Sequence, residues 1–206
     1  FERALNRAHI PMAYSSGFSP HPRISYANAS ATGAASEAEY LEVALAEICD
    51  PDKVLTVLGA EMPPGMEVLE AVETDRTPFT ELLTASAWLI APVGEVAGLA
   101  EAVEAVMAAE TVEVKRMTKS GMRTFDVRAA LIGLDVSDGK LRLMLRHVTP
   151  LVRPDDVLRA LAEKCPALDV DAARATRLAQ GACVEDASGV STVLTDPFSG
   201  VAVTVW

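Results

Sequence analysis

The apolar residues of this chain change their spacing along its length, from the three-and-four of a helix to the two of a strand and back again. That alternation of periods predicts an α+β protein built from short elements. The longest apolar runs, such as Ala85–Ala91, fall far short of the ~20 residues a bilayer-spanning helix needs, which argues against an integral membrane protein. Half of the 206 residues are hydrophobic and 23% are charged, enough apolar material for a sizeable core. Three scattered cysteines, Cys49, Cys165 and Cys183, make no disulfide framework and point to a reducing, cytoplasmic setting with the thiols as buried small hydrophobes. No signal peptide is visible.

Taken in order, the pattern reads as follows. Phe1, Ala4, Leu5 and Ala8 form a helical stripe that the chain enters without a cap, so a preceding strand is expected to be missing, and Pro11 is expected to end the helix. Arg23–Tyr26 and Tyr40–Leu45 read as strands, separated by the small, flexible stretch Ala31–Glu39. Asp50-Pro51-Asp52 starts a helix that Pro63-Pro64-Gly65 closes, and Met66–Val72 alternates as a strand. The second half repeats the order: a strand at Ala85–Pro92, a helix at Gly94–Ala108, a strand at Thr111–Thr118 and a short helix around Asp126–Leu134. A strand at Leu141–Val148, a helix from Pro154 and a closing strand near Ala175–Val184 follow, and Val201–Trp206 could add one more. The expected fold is two tandem ferredoxin-like split βαβ units, residues 1–78 lacking the first strand and residues 79–206 with a C-terminal extension.

Net charge is −11, which argues against a general nucleic-acid binder. The charge is segregated, however. Residues 1–30 carry +2 and residues 111–160 carry +4, whereas residues 31–110 carry −14. A solvated acidic face with ordinary ion pairs would produce this, and so would an acidic half joined to a basic working face.

The densest polar constellation is Tyr14-Ser15-Ser16-Gly17-Phe18-Ser19-Pro20-His21-Pro22-Arg23. Pro20 and Pro22 stiffen the segment that carries Ser19 and His21, and a stiff loop loses less entropy when it binds. Its hydroxyls, imidazole and guanidinium suit a phosphate or a sugar edge; the plainer alternative is a turn whose hydroxyls satisfy its own backbone. Tyr14, Ser15, Ser16, Ser19, His21 and Arg23 are the binding candidates here. A second set, Lys115-Arg116-Met117-Thr118-Lys119-Ser120-Gly121-Met122-Arg123, places cations around a turn. Lys119, Ser120 and Arg123 are its phosphate candidates, with Arg153 a further binding candidate; the plainer alternative is a solvated hairpin-like turn, unless Arg23 and Arg153 lie on the same side.

The run from Arg3 to Tyr26, followed by Ser36-Glu37-Ala38-Glu39-Tyr40-Leu41-Glu42 and later by Val152-Arg153-Pro154-Asp155-Asp156-Val157-Leu158, resembles a bacterial family of uncharacterised domains associated with radical SAM proteins. The pairing of Gly17-Phe18-Ser19-Pro20-His21-Pro22-Arg23 with Ser36-Glu37-Ala38-Glu39-Tyr40 carries the likeness, which covers most of residues 1–180. It implies a partner: members are fused to or encoded beside radical SAM proteins, some with a cobalamin-binding part, and often lie near ribosome and ribonuclease functions. It implies no reaction.

A radical SAM cluster needs three closely spaced cysteines, and this chain has none so arranged. Zinc spacing, a phosphate-binding glycine loop and a nucleophile elbow are also absent, so neither a metal nor a cofactor is expected. His147, on a strand, reads as satisfied structure. The expected function is a non-catalytic accessory domain that works with a radical SAM protein on RNA or a ribonucleoprotein, with no membrane role. Two alternatives stand beside it: a metal-independent RNA-processing enzyme using His21 as general acid or base, and a purely protein–protein adaptor.

Overall fold

A computed structural model describes residues 1–74, 77–118, 121–184 and 193–206. In chain order its elements are α1 (Glu2–Arg7), β1 (Ile24–Ala27), β2 (Ala35–Ser36), β3 (Tyr40–Val43), α2 (Pro51–Glu61), α3 (Phe79–Leu82), β4 (Ala85–Ala91) and α4 (Leu99–Ala108). Then come β5 (Glu113–Thr118), β6 (Gly121–Asp126), α5 (Val127–Ala130), β7 (Leu131–Ser137), β8 (Lys140–Arg146), α6 (Pro154–Ala162), β9 (Arg174–Cys183), β10 (Val193–Thr195) and β11 (Ala202–Thr204). The protein is mixed α/β with mostly antiparallel sheets. It divides into two compact units: Phe1–Ala29 with Tyr40–Phe79, and Ser30–Glu39 with Thr80–Trp206.

In the first unit β1 and β3 form an antiparallel pair, with Ile24 opposite Val43 and Ala27 opposite Tyr40. Ala4 and Leu5 of α1 pack with Ile10, Met12 and Leu58 of α2, and Ile24, Val43 and Leu45 close that small core. The first helix ends earlier than Pro11. His9 adopts a left-handed backbone (φ 51°) and Ile10 N–H turns back to the Leu5 carbonyl at 3.2 Å, which caps the helix before the proline is reached. At α2 the Asp50 carboxylate accepts from Asp52 N–H at 3.0 Å and Pro51 occupies the first helical position, as the sequence dictates. Met66–Val72 is not a strand. Met66, Leu69 and Val72 are exposed and Val68 packs on the core, and among the described residues no strand pairs with this segment. The described part of this unit therefore does not carry the strand–helix–strand–strand–helix–strand order expected of it.

In the second unit the sheet runs β11-β10-β9-β4-β8-β7, and β2 pairs in parallel with the edge of β9 through Ala35–Thr176 and Ser36–Arg177. This pairing is why residues 30–39, grouped with the first half on sequence alone, belong to the second unit. Within the run β9-β4-β8-β7 each adjacent pair is antiparallel. Leu99, Val103 and Val106 of α4 and Val157, Leu158 and Leu161 of α6 share one core with Trp88, Ile90, Leu141, Leu143 and Leu145, so both helices cover the same face of the sheet. The opposite face carries Ala85, Ala87, Met144 and Leu194, with Trp206 packed against them. Gly181 lets β10 close on β9, since a Cβ there would stand 2.1 Å from the Thr195 carbonyl oxygen.

Two sequence expectations are corrected in this unit. The helix expected from Gly94 begins only at Leu99, because Gly94 and Gly98 hold positive φ (72° and 81°). The helix expected over Asp126–Leu134 is the end of β6, the single turn α5 and the start of β7. Asp126 explains the break: its carboxylate accepts from Arg128 N–H at 3.0 Å and from Val112 N–H at 3.1 Å, capping one turn before Leu131–Ser137 enters the sheet against β8. Among the described residues no helix is long and apolar enough to cross a membrane.

Candidate functional site

The polar proline-rich loop of the first unit is a closed hairpin. Tyr14 and Pro22 form an isolated antiparallel bridge, Ser15 N–H donates to the His21 carbonyl at 2.9 Å, and His21 N–H donates to Ser15 Oγ at 3.0 Å. Arg23 is sewn in on both sides, its N–H to the Ala13 carbonyl and its carbonyl to Ala44 N–H, each at 2.9 Å. The Ser15 hydroxyl thus accepts from the loop's own backbone and braces it. Tyr14, Ser16, Ser19, His21 and Arg23 remain exposed, and Phe18, at the tip beside Gly17 (φ 143°), is fully so. Three groups able to contact a polyanion or a base edge (His21, Arg23 and the Ser19 hydroxyl) therefore project from a braced frame.

The cationic turn of the second unit is the β5–β6 hairpin; Lys119 and Ser120 lie outside the described residues. Its register sets Arg116 opposite Arg123, Lys115 opposite Thr124 and Met117 opposite Met122. Lys115 and Arg116 point to opposite faces, as the period of two requires. Arg116 turns inward. It pairs with the buried Asp156 of α6, donates to the Leu151 carbonyl at 3.0 Å, and lies 4.0 Å from the centre of the Phe125 ring. Its charge is spent on structure. Burial lowers its pKa, Asp156 opposes that, and the positive Arg153 and Arg159 add to the lowering. Arg153 leads into α6, donating its N–H to the same Asp156 carboxylate at 2.9 Å while its side chain stays exposed. Around the satisfied Arg116–Asp156 pair, then, lie the exposed Arg123, Arg153 and Arg159.

A third polar group, which sequence reasoning did not assemble, is buried in the second unit. Ser86 Oγ accepts from Trp88 Nε1 at 2.8 Å and lies 3.0 Å from His147 Nε2, while His147 Nδ1 sits 2.6 Å from the Leu83 carbonyl. A carbonyl can only accept, so the proton is on Nδ1 and Nε2 takes the Ser86 hydroxyl hydrogen. Burial lowers the His147 pKa, the Leu83 carbonyl opposes, and the Arg177 charge lowers it further. Arg177 pairs with Glu39, donates to Ser36 Oγ at 3.2 Å and lies 5.1 Å from the Trp88 ring; Gln180 Nε2 donates to the Ala38 carbonyl at 2.6 Å. Burial raises the Glu39 pKa, but hydrogen bonds from Ser36 and Ser30 and the Arg177 charge prevail and leave it below its ordinary value. The Ser–His geometry is that of an activated nucleophile, yet Ser86 is only 3% exposed and its hydroxyl is shut away from a substrate. Arg177 and Gln180 pin residues 36–39 to the sheet. Of the cysteines, Cys165 is buried with Sγ 3.3 Å from the Ala97 carbonyl, whereas Cys49 and Cys183 are only half-buried.

Fold and surface together define a mixed α/β protein that displays a braced polar hairpin from one unit and an arginine cluster from the other. The chain belongs to the bacterial family described as "Uncharacterized protein conserved in bacteria (DUF2344)", whose model matches residues 1–154. That span includes the hairpin, the β5–β6 cations and Arg153. Neither a curated protein nor a solved structure matches the chain.

Proposed function

We propose that this chain is a non-catalytic accessory domain that holds RNA or a ribonucleoprotein for a radical SAM protein. The observation that carries the reading is the cluster of exposed Arg123, Arg153 and Arg159 around an Arg116 already neutralised by Asp156. Phosphate oxygens are the ligand that several neighbouring guanidinium groups serve best. The hairpin of Ser16, Ser19, His21 and Arg23 supplies a second polar surface, preorganised by its own hydrogen bonds. The radical SAM partner rests on the sequence resemblance alone. We also read the second unit as ferredoxin-like, from its order β4, α4, β7, β8, α6, β9 and its sheet order β9-β4-β8-β7, with the β5–β6 hairpin inserted. Such a scaffold positions surfaces and implies no reaction.

Fluorescence anisotropy with a short RNA at several salt concentrations tests the reading. Affinity is expected to fall steeply with salt, and Arg123→Glu with Arg153→Glu to flatten that dependence by about one unit of slope per arginine. No binding at low salt overturns it.

A further inference from the structure

We infer that the Tyr14–Pro22 hairpin takes unpaired bases, so that the RNA this domain holds is single-stranded, with Phe18 as the ring on which a base stacks. The inference rests on the RNA reading above and narrows its substrate class.

Phe18 is wholly exposed and Tyr14 and Tyr26 are each about half exposed, at 106%, 50% and 52% of their reference surface. Among aromatic side chains that the structure describes, these are the exposed ones; the others, including Trp88 and Phe125, are buried or half-buried. Among the described side chains, exposed rings are thus confined to one short stretch of the first unit. A ring left in water on a braced tip is available, without rearrangement of the fold, to a surface that covers it on binding. The Tyr14–Pro22 bridge and the two Ser15–His21 hydrogen bonds fix the frame, and Gly17 takes the positive φ that the tip requires.

The residues beside the ring say what that surface is. Positions 15–17 and 19–21 are serine, glycine, proline and histidine, so along the chain Phe18 stands among small and polar residues rather than the bulky apolar ones that accompany an aromatic anchor at the centre of a protein–protein interface. The chain carries no Asp or Glu between Glu2 and Glu37, and Arg23 follows the hairpin directly. An aromatic face flanked by hydroxyls and a guanidinium matches a nucleotide: the base stacks, the phosphate meets the cation, and hydroxyls reach the sugar. Bases inside a duplex already cover one another's faces and offer a protruding ring nothing to stack on. An unpaired strand does.

The test uses the full chain with one RNA in two forms, single-stranded and annealed to its complement, carrying a fluorescent base analogue. Phe18→Ala is expected to weaken single-strand binding roughly five- to a hundred-fold and to abolish the stacking-induced change in the analogue's emission. Phe18→Trp is expected to restore both, while duplex binding and the slope of affinity against salt stay as in the parent. Since the ring touches no core, circular dichroism should be unchanged in both variants. If the parent binds neither form, the RNA reading itself fails. Salt-dependent RNA binding indifferent to Phe18→Ala, or equal weakening on both forms, overturns this inference alone. So does Phe18-dependent binding to phosphatidylcholine–phosphatidylglycerol vesicles with no effect on RNA.

Discussion

Gln180 lies on the same face of β9 as Arg177, three positions before it, where a regular strand would set them on opposite faces. Ala179 pairs with Ala87 but Arg177 pairs with Trp88, so Leu178 is an extra residue and the strand bulges there. The bulge brings Arg177 beside Trp88 and Gln180 beside Ser86, and turns both toward residues 36–39.

Arg177 is almost wholly buried and Glu39 is half exposed, so the pair is expected to respond unequally to losing either member. Glu39→Ala strands a buried guanidinium and is expected to cost about 2 kcal/mol, less than for a fully enclosed pair because solvent screens the carboxylate. Arg177→Met keeps the volume and releases Glu39 to water, and is expected to cost less. Urea unfolding of the two variants measures this; a larger loss for Arg177→Met would show that packing on Trp88 dominates.

His147 is held neutral, with its folded pKa below the ordinary 6.5. As pH falls through that value the unfolded chain takes up a proton that the folded chain refuses. Stability is then complete above 6.5 and is lost progressively toward the depressed folded pKa, by at most about 1.4 kcal/mol per pH unit for one proton. Glu39, also depressed, contributes above its unfolded value and is lost in a separate, more acidic interval. Urea midpoints taken from pH 7.5 downward should show the first slope in the parent and lose it in His147→Gln. An unchanged slope in the variant refutes the assignment.

Asp156 serves two donors, the Arg116 guanidinium and Arg153 N–H. Asp156→Ala is expected to cost about 3 kcal/mol, since it leaves a partly buried cation without its carboxylate and uncaps α6. Arg153→Ala keeps that backbone hydrogen bond and should change stability by less than about 0.5 kcal/mol. Thermal melts of both variants separate the structural arginine from the surface one.

Most helices and the strands with clean alternation could be read directly. Asp50-Pro51-Asp52 and Pro154-Asp155-Asp156 act through neighbours within four positions, and such signals survive in any context. Met66–Val72 misled because alternation describes a strand's two faces and says nothing about whether a partner edge exists. The hairpin candidates were legible for the same local reason, whereas the Ser86–His147–Arg177 group was not: its members come from β2–β3, β4, the end of β8 and a bulged β9.

What the sequence determined by itself was the set of short-range choices: where helices cap, where glycine and proline bend the chain, and which faces are apolar. Tertiary structure alone decided which strands pair, that residues 30–39 join the far half of the chain, and that Arg116 is consumed by Asp156 while Arg123 and Arg153 stay at the surface. The reason is physical. Capping and turn energies depend on atoms a few bonds apart, but sheet edges, buried charges and a one-residue bulge are settled by burial and hydrogen bonding between segments more than a hundred residues apart in places, as between Glu39 and Arg177.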